Sequence, residues 1–171
     1  MAEIFIYTPD TTPNELVDIK KDSKEFKVFL AGTIDNGDSI DWQAKVIELT
    51  KNIANQPIGI YNPRRKKWDP NTDHAGIMKQ IDWEQRALNR VEHIYLVLLD
   101  NSKSPISLLE LGLFARTGKV TVFCTPKFYR YDNVLDTCNR YNIELVNNTN
   151  PSIISKRIEK NAKDWQILNN N

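Results

Sequence analysis

The sequence is poor in the side chains that most often build metal sites and disulfides. Its 171 residues include only two cysteines and two histidines, and Cys124 and Cys138 stand outside any CxxC spacing. Ligands this scarce and scattered argue against a zinc site or any other resident metal. Isolated cysteines are also typical of reduced thiols, so we expect a cytoplasmic protein without disulfides.

The chain also lacks an excess of charge and a long apolar run. Lysine and arginine number 23 against 22 aspartates and glutamates, which leaves a formal net charge of +1. A balance this close to neutral gives no electrostatic reason to expect a nucleic-acid polymer or a membrane surface as partner. The longest apolar runs, such as IYLVLL, are too short to span a bilayer, and the start MAEIFIYTPD predicts no secretory signal.

Short apolar runs alternate with amphipathic segments along the chain. The predicted strands are EIFIYT near the start, KVFLAG (27–32), IGIYNP (58–63), IYLVLLD (94–100), KVTVFCT (119–125) and IELVN (143–147). The predicted helices cover 39–55, 77–91, 104–117, 131–142 and 151–168. This alternation predicts an α/β fold, a flavodoxin-like or Rossmann-like doubly wound parallel sheet of about five strands with helices on both faces. We divide the chain into an N-terminal extension, residues 1–26, and one domain, residues 27–171.

Ligands of an open α/β sheet bind beyond the carboxyl ends of its strands, so the residues that follow each predicted strand are candidates for a site. They are Gly32, Thr33, Ile34 and Asp35 after KVFLA, Asn62, Arg64 and Arg65 after IGIY, and Asp100 after IYLVLL. The first of these segments, GTIDNG, lacks the Gly-Lys-Ser/Thr of a P-loop and the third glycine of a dinucleotide fingerprint. It favours a tight turn that approaches a ligand closely, and we expect no cofactor.

Basic and aromatic side chains near these strand ends have two interpretations each. The segment RRKKW, residues 64–68, is either solvated charge or an anion contact at the mouth of the cleft. The tryptophans Trp42, Trp68 and Trp83 either stack on a flat base or pack in the core.

One acid interrupts an otherwise apolar helix in SPISLLELGLFARTGK, residues 104–119. The apolar residues Ile106, Leu109, Leu113 and Phe114 recur at helical spacing and predict the face that packs on the core. Glu110 stands inside this run, and burying a bare carboxylate costs several kcal/mol. Glu110 is therefore either a functional carboxylate in a partly apolar cleft or a solvated acid near the helix N-terminus.

Two further acids are likewise either functional carboxylates or ordinary structural residues. Asp82 lies on an amphipathic helix, where an acid is usually solvated, and Asp100 closes a strand, where aspartate often forms a turn. If both converge with Glu110 on one cleft, their different environments would separate the roles of acid and nucleophile.

Five segments occur in a recognisable order over about residues 27–145. They are KVFLAGTIDNG…DWQ, YNPRR…WD, IDWEQRALNRVEHIYLVLLD, SPISLLELGLFARTGKVTVFC and FYRYDNV. Together they resemble the nucleoside 2-deoxyribosyltransferase-like family, in the branch common in bacterial and phage genomes. The resemblance implies a flavodoxin-like fold, a homo-oligomer of two or more subunits, and cleavage of the N-glycosidic bond of a 2′-deoxynucleoside. It also implies that the sugar passes through a covalent deoxyribosyl-enzyme to a free nucleobase, so the expected partners are small molecules.

The resemblance also implies roles for individual residues. The family nucleophile is the glutamate of an ELG motif, which is Glu110 in this sequence. The acid that ends the preceding strand corresponds to Asp100, and the acid in the helix before it, which exchanges a proton with the base, corresponds to Asp82. Many members complete the sugar pocket with an asparagine from a neighbouring subunit, and Asn133 is its counterpart. A retaining mechanism needs such a carboxylate beneath the anomeric carbon and a proton donor near the base.

Three other functions stay open at this point. Related members of the wider superfamily hydrolyse 2′-deoxynucleoside 5′-monophosphates, and Arg64 or Arg65 offers such a phosphate a bidentate contact. A non-catalytic nucleotide-binding module would use the same fold but has no need of Glu110 beneath the sugar. A flavodoxin-like electron carrier would need a Ser/Thr-rich loop after KVFLA, which this sequence lacks.

Overall fold

Strands and helices alternate in the computed structural model, which describes residues 2–17 and 24–169. The strands are β1 (Ile4–Tyr7), β2 (Phe26–Gly32), β3 (Ile58–Tyr61), β4 (His93–Leu98), β5 (Val120–Cys124) and β6 (Glu144–Val146). The α-helices are α1 (Asn14–Val17), α2 (Trp42–Ile53), α3 (His74–Arg90), α4 (Pro105–Phe114), α5 (Tyr131–Tyr141) and α6 (Pro151–Asn169). These bounds confirm every predicted strand and helix to within a few residues.

The strands form one sheet in the order β1-β3-β2-β4-β5-β6, and every pairing is parallel. The order of β3-β2-β4-β5-β6 is the flavodoxin-like order 2-1-3-4-5. The predicted doubly wound parallel sheet is thereby confirmed, with six strands against the expected five. The sixth comes from the N-terminal extension, because β1 joins the edge of the sheet beside β3. Residues 18–23 of the predicted N-terminal extension lie outside the described residues.

Helices cover both faces of the sheet, as the continuous apolar strands require. On β2, Phe29 and Ala31 point to the side covered by α1, α3, α4 and α5, whereas Val28 and Leu30 point to the side covered by α2 and α6. Trp83 of α3 is fully buried, with its ring 6.3 Å from that of Phe29. Two cores therefore hold the sheet rigidly between them.

The neighbouring strands β2 and β4 approach very closely where β2 ends. Gly32, the last residue of β2, has a φ of +139°, and a Cβ at this position would lie 2.1 Å from the carbonyl oxygen of Val97. Only glycine adopts this conformation without strain and leaves room for the neighbouring strand. This residue is where the chain leaves the sheet to form the loop that follows β2.

Candidate active site

A cavity of about 300 Å³ opens at the carboxyl ends of β2 and β4. Its walls come from the loop after β2, the loop after β3, one face of α3 and the start of α4. The lining residues are Ala31, Gly32, Thr33, Ile34, Asp35, Asn36, Pro63, Trp68, Gln80, Glu84, Ser104, Pro105, Ile106, Ser107 and Glu110. The strand order reverses between β2 and β4, which is where open α/β sheets bind ligands. The volume is at the lower end of the range for small-molecule sites.

The carboxylate of Glu110 lines this cavity. Glu110 lies on the inner face of α4 and is 6% exposed. In the described part of the chain its side chain accepts no hydrogen bond and joins no ion pair. Burial, together with the nearby charge of Glu84, raises the pKa of Glu110 to about 8.

The buried face of α4 agrees only in part with the one that the apolar spacing predicts. The structure places Ser107, Glu110 and Leu111 inward. Phe114 is buried, as predicted. The other three predicted core residues, Ile106, Leu109 and Leu113, are 60%, 57% and 56% exposed, so the prediction is wrong for them. The reason is that α4 is apolar on nearly every side, and a pattern without a polar face does not fix which side is buried.

A second acid, Glu84 of α3, lines the same cavity. It lies one helical turn from Gln80, whose Nε2 donates a hydrogen bond to Glu84 Oε1 at 2.8 Å. Arg65 Nε in turn donates to Gln80 Oε1. Burial raises the pKa of Glu84, while the Gln80 hydrogen bond and the charge of Arg65 act in the opposite direction. Glu84 is not among the site residues that the sequence predicts.

The predicted proton donor, Asp82, lies outside the cavity on the exposed side of α3. Its Oδ2 accepts hydrogen bonds from Asn14 Nδ2 at 2.6 Å and from Arg86 Nε at 2.8 Å. These two contacts, with that of Asn14 first, lower the pKa of Asp82. Asp100 is exposed as well, and it accepts a hydrogen bond from Thr125 rather than lining the cavity. The structure therefore does not bring Asp82 and Asp100 together with Glu110.

Three hydroxyls and one carboxylate form a continuous chain along the cavity. Ser102 Oγ donates to Asp35 Oδ1 at 2.7 Å and contacts Ser104 Oγ at 2.9 Å, and Ser104 Oγ contacts Thr33 Oγ1 at 2.6 Å. Each hydroxyl has one proton. Because Ser102 gives its proton to Asp35, Ser104 must donate to Ser102, and Thr33 must donate to Ser104. The hydroxyl protons are therefore committed within the chain.

Two predicted binding residues support the cavity from outside its wall. Trp42 is buried, and its indole Nε1 donates to the carbonyl oxygen of Thr33 at 2.9 Å. Asn62 Oδ1 accepts a hydrogen bond from the backbone N–H of Arg64 at 3.0 Å, which shapes the turn after β3. The tryptophan that lines the cavity is Trp68, which is half exposed and available to stack on a base.

The two arginines after β3 point in different directions, and neither lines the cavity. The Arg64 guanidinium donates to backbone carbonyls within residues 37–40. Arg65 faces Gln80 and also pairs with Asp10 of the N-terminal segment at 3.5 Å. The cavity wall thus offers a phosphate no contact with either arginine.

Asn133 lies on α5 at a second cavity of about 390 Å³ between α4 and α5. The residues around it include Leu108, Leu111, Gly112 and Arg130. Within one subunit, Asn133 is therefore separate from the cavity that contains Glu110.

The described residues show neither a metal cluster nor a membrane span. Within residues 2–17 and 24–169, no three His, Cys, Asp or Glu side chains gather to hold a metal ion. None of the helices formed by these same residues is long and apolar enough to cross a membrane. The polar groups of the cavity are carboxylates, hydroxyls and amides, a set suited to proton transfer and covalent catalysis.

Residues 25–128 match the model of a family described as nucleoside 2-deoxyribosyltransferase like. The matched segment is more than half of the chain and contains every residue that lines the Glu110 cavity. The chain belongs to the nucleoside 2-deoxyribosyltransferase-like family. No curated protein sequence matches it.

Membership of the nucleoside 2-deoxyribosyltransferase-like family confirms the resemblance found in the sequence motifs. The family supports a glycosyltransferase-type enzyme whose substrates are small-molecule nucleosides. The match begins just before β2 and ends after β5, so β1, α5 and α6 lie outside it. Asn133 is among the residues that it does not cover.

Proposed function

We propose that this protein cleaves the N-glycosidic bond of a 2′-deoxynucleoside through a covalent deoxyribosyl-Glu110 intermediate and transfers the sugar to another nucleobase. The observation that carries the proposal is the buried carboxylate of Glu110 in a ligand-sized cavity that it shares with a second carboxylate. Among the residues that the structure describes, Glu110 has no hydrogen-bond or ion-pair partner. Such an arrangement costs stability and serves no packing purpose. It suits a nucleophile that attacks a carbon with developing positive charge.

The proposed reaction has two displacements at C1′ of the sugar. In the first, a Glu110 oxygen bonds to C1′, the C1′–N bond breaks with its electron pair going to the base, and Glu84 protonates the departing base. In the second, a nitrogen of another base attacks C1′, Glu110 leaves as a carboxylate, and Glu84 takes the proton that the incoming base loses. Two inversions at one carbon retain its configuration.

The scheme needs Glu110 ionised for the attack and a proton on Glu84 for the departing base. Burial and the charge of Glu84 raise the pKa of Glu110 to about 8, so Glu110 holds a proton near neutral pH. Burial also raises the pKa of Glu84, which favours Glu84 as the group that receives this proton. Positive charge that develops at C1′ favours the ionised form of Glu110. The proton then resides on Glu84, where the leaving base requires it.

The hydroxyl chain favours a nucleoside over its 5′-monophosphate. With their protons committed, Thr33 Oγ1 and Ser104 Oγ have only lone pairs left to offer. A sugar hydroxyl can donate to such acceptors, whereas an ionised phosphate has almost no proton to donate. The nearby Asp35 carboxylate adds repulsion to a phosphate.

A 5′-monophosphate hydrolase is the second candidate, and one feature favours it. The first turn of α4 lines the cavity through Ser104, Pro105, Ile106 and Ser107. A helix N-terminus presents unpaired N–H groups and a positive dipole end that attract anions. Water would then accept the sugar from the same Glu110 intermediate.

Incubation with a panel of substrates decides between these functions. The purified protein is given 2′-deoxynucleosides or their 5′-monophosphates, with and without a second free base, and products are separated by chromatography. We expect base exchange on the nucleosides, with a kcat/KM about tenfold or more above that of the monophosphates, because an unmatched buried polar contact costs roughly 1–3 kcal/mol. Base release from monophosphates alone, without exchange, would establish the hydrolase. Binding without turnover would leave only a nucleotide-binding module.

We also propose that a second copy of the chain covers the outer face of α4. The three large apolar side chains on this face, Ile106, Leu109 and Leu113, are each more than half exposed. Ile106 also lines the active-site cavity, so a subunit that packs there would border the substrate. In this arrangement Asn133 of one subunit is the candidate to complete the sugar pocket of the other.

Replacing Leu109 with glutamate should dissociate the oligomer. A charge at the centre of an apolar interface is costly, while on an exposed helix surface it leaves the monomer stable. Light scattering after size exclusion should show a dimer or larger assembly for the wild type and a monomer for Leu109→Glu. Leu168→Glu is the matched control, since Leu168 is 78% exposed on α6. A monomeric wild type would contradict the proposed subunit contact.

A further inference from the structure

The second half of the loop after β2 is bonded to the side chain of one arginine. We propose that Arg64 is a positioning residue, which keeps residues 34–40 in the conformation that forms one wall of the cavity. Arg64 thereby affects substrate affinity and not the chemical step, an inference that rests on the function proposed above.

The Arg64 guanidinium contacts several groups in the loop, and three of them are backbone carbonyl oxygens. Its Nη2 donates to the carbonyl oxygens of Gly37 at 2.9 Å and Ser39 at 2.6 Å. Its Nη1 donates to the carbonyl oxygen of Ile40 and to Ser39 Oγ, both at 3.2 Å. Its Nε lies 3.7 Å from Asp41 Oδ2. The Arg64 side chain is 8% exposed, so these bonds are shielded from competing water.

The first half of the loop has a strained backbone, next to the segment that Arg64 contacts. Asp35, Asn36 and Gly37 follow one another with φ values of 50°, 55° and 90°. Left-handed conformations at two successive residues other than glycine persist only where surrounding contacts fix them. The Arg64 contacts start at the third of these residues and extend through the turn that follows it.

The clamped loop forms the wall but does not contain the reacting groups. Ile34, Asp35 and Asn36 line the cavity, and Asp35 accepts the hydrogen bond that orders the hydroxyl chain. Glu110 and Glu84 lie instead on α4 and α3. Loosening the loop should therefore weaken binding and leave the two carboxylates in place.

Hydrogen–deuterium exchange and steady-state kinetics on Arg64→Met test this inference together. We expect amides in residues 34–40 to exchange faster, KM for a deoxynucleoside to rise about tenfold or more, and kcat to stay within about threefold. Tenfold in affinity corresponds to about 1.4 kcal/mol, which is the cost of ordering about one loop residue on binding. Arg64→Lys keeps the charge but loses the planar fork, so its exchange rates and KM should lie between those of the wild type and those of Arg64→Met. This variant still tests the inference if Arg64→Met does not fold. Lys66→Met, which removes an exposed cation from the same loop, should match the wild type.

Three results would overturn the inference. Unchanged exchange in residues 34–40 would show that Arg64 does not hold the loop. Faster exchange with an unchanged KM would show that the clamp has no bearing on the substrate. A rise in KM for the 5′-monophosphate alone would likewise replace positioning with a direct phosphate contact. If the wild type transfers no sugar at all, the proposed function fails, while the exchange comparison still decides whether Arg64 fixes the loop.

Discussion

Replacing Glu110 with glutamine is expected to lower base release and base exchange by at least about a thousandfold. Glutamine keeps the shape of the side chain but has no carboxylate to form the bond to C1′. The measurement is the rate of free-base formation from a 2′-deoxynucleoside, followed by chromatography. Retention of a tenth of the wild-type rate would remove Glu110 from the nucleophile role.

The same variant separates loss of function from loss of folding. The pKa of Glu110 is raised from 4.5 to about 8, so the folded state disfavours the ionised form, and the destabilisation grows as pH rises through that interval. Glutamine abolishes this ionisation. The Tm of Glu110→Gln should therefore equal or exceed that of the wild type at pH 5 and exceed it by more at pH 8. An inactive variant with a lowered Tm at both pH values would indicate a structural role.

Replacing Glu84 with glutamine should lower kcat by about 10²–10⁴-fold with little change in KM, because the variant lacks the proton that the departing base needs. Substrates with a good leaving group need little protonation, so their rates should largely be rescued. Equal losses for good and poor leaving groups would contradict the assignment of Glu84 as general acid. Kinetics on a pair of substrates that differ only in the leaving base provide this comparison.

Asp82→Asn is the matched control for Glu84→Gln, since it removes an acid from the same helix two residues away. Asp82 is exposed and paired with Asn14 and Arg86, so we expect nearly unchanged kinetics.

The pH profile of Glu84→Gln is a second test of the role of Glu84. The charge of Glu84 is one cause of the raised pKa of Glu110, so Glu84→Gln should lower that pKa. On a substrate with a good leaving group, the rise in activity with pH should then occur at lower pH than in the wild type.

The sheet was predictable from the sequence because buried parallel strands leave a clear signal. Segments such as IYLVLL have no polar face. The segments between them have apolar residues at helical spacing. The orientation of α4 was not predictable in this way. Its outer face is as apolar as its inner one, and the side that packs on the sheet is decided by Leu111 and Phe114 against the core.

The rotation of α3 about its axis decides which of its acids, Asp82 or Glu84, faces the cavity. The buried residues Trp83, Ala87 and Leu88 fix that rotation. Glu84 lies three and four residues before Ala87 and Leu88, on the border of the buried stripe, whereas Asp82 shares the exposed side with Arg86. A helical-wheel argument applied to both acids would have favoured Glu84. The directions of Arg64 and Arg65 depend on a loop without periodicity, and no local sequence rule provides them.

The central claim is that Glu110 forms a covalent bond to the sugar, and trapping tests it most directly. A 2-fluoro-arabinosyl nucleoside reacts slowly because fluorine destabilises the oxocarbenium-like transition state, so the glycosyl-enzyme should accumulate. After proteolysis, mass spectrometry should find the added sugar mass on the peptide that contains Glu110 and nowhere else. Label on Glu84 or another carboxylate, or release of the base without any label, would contradict the proposed mechanism.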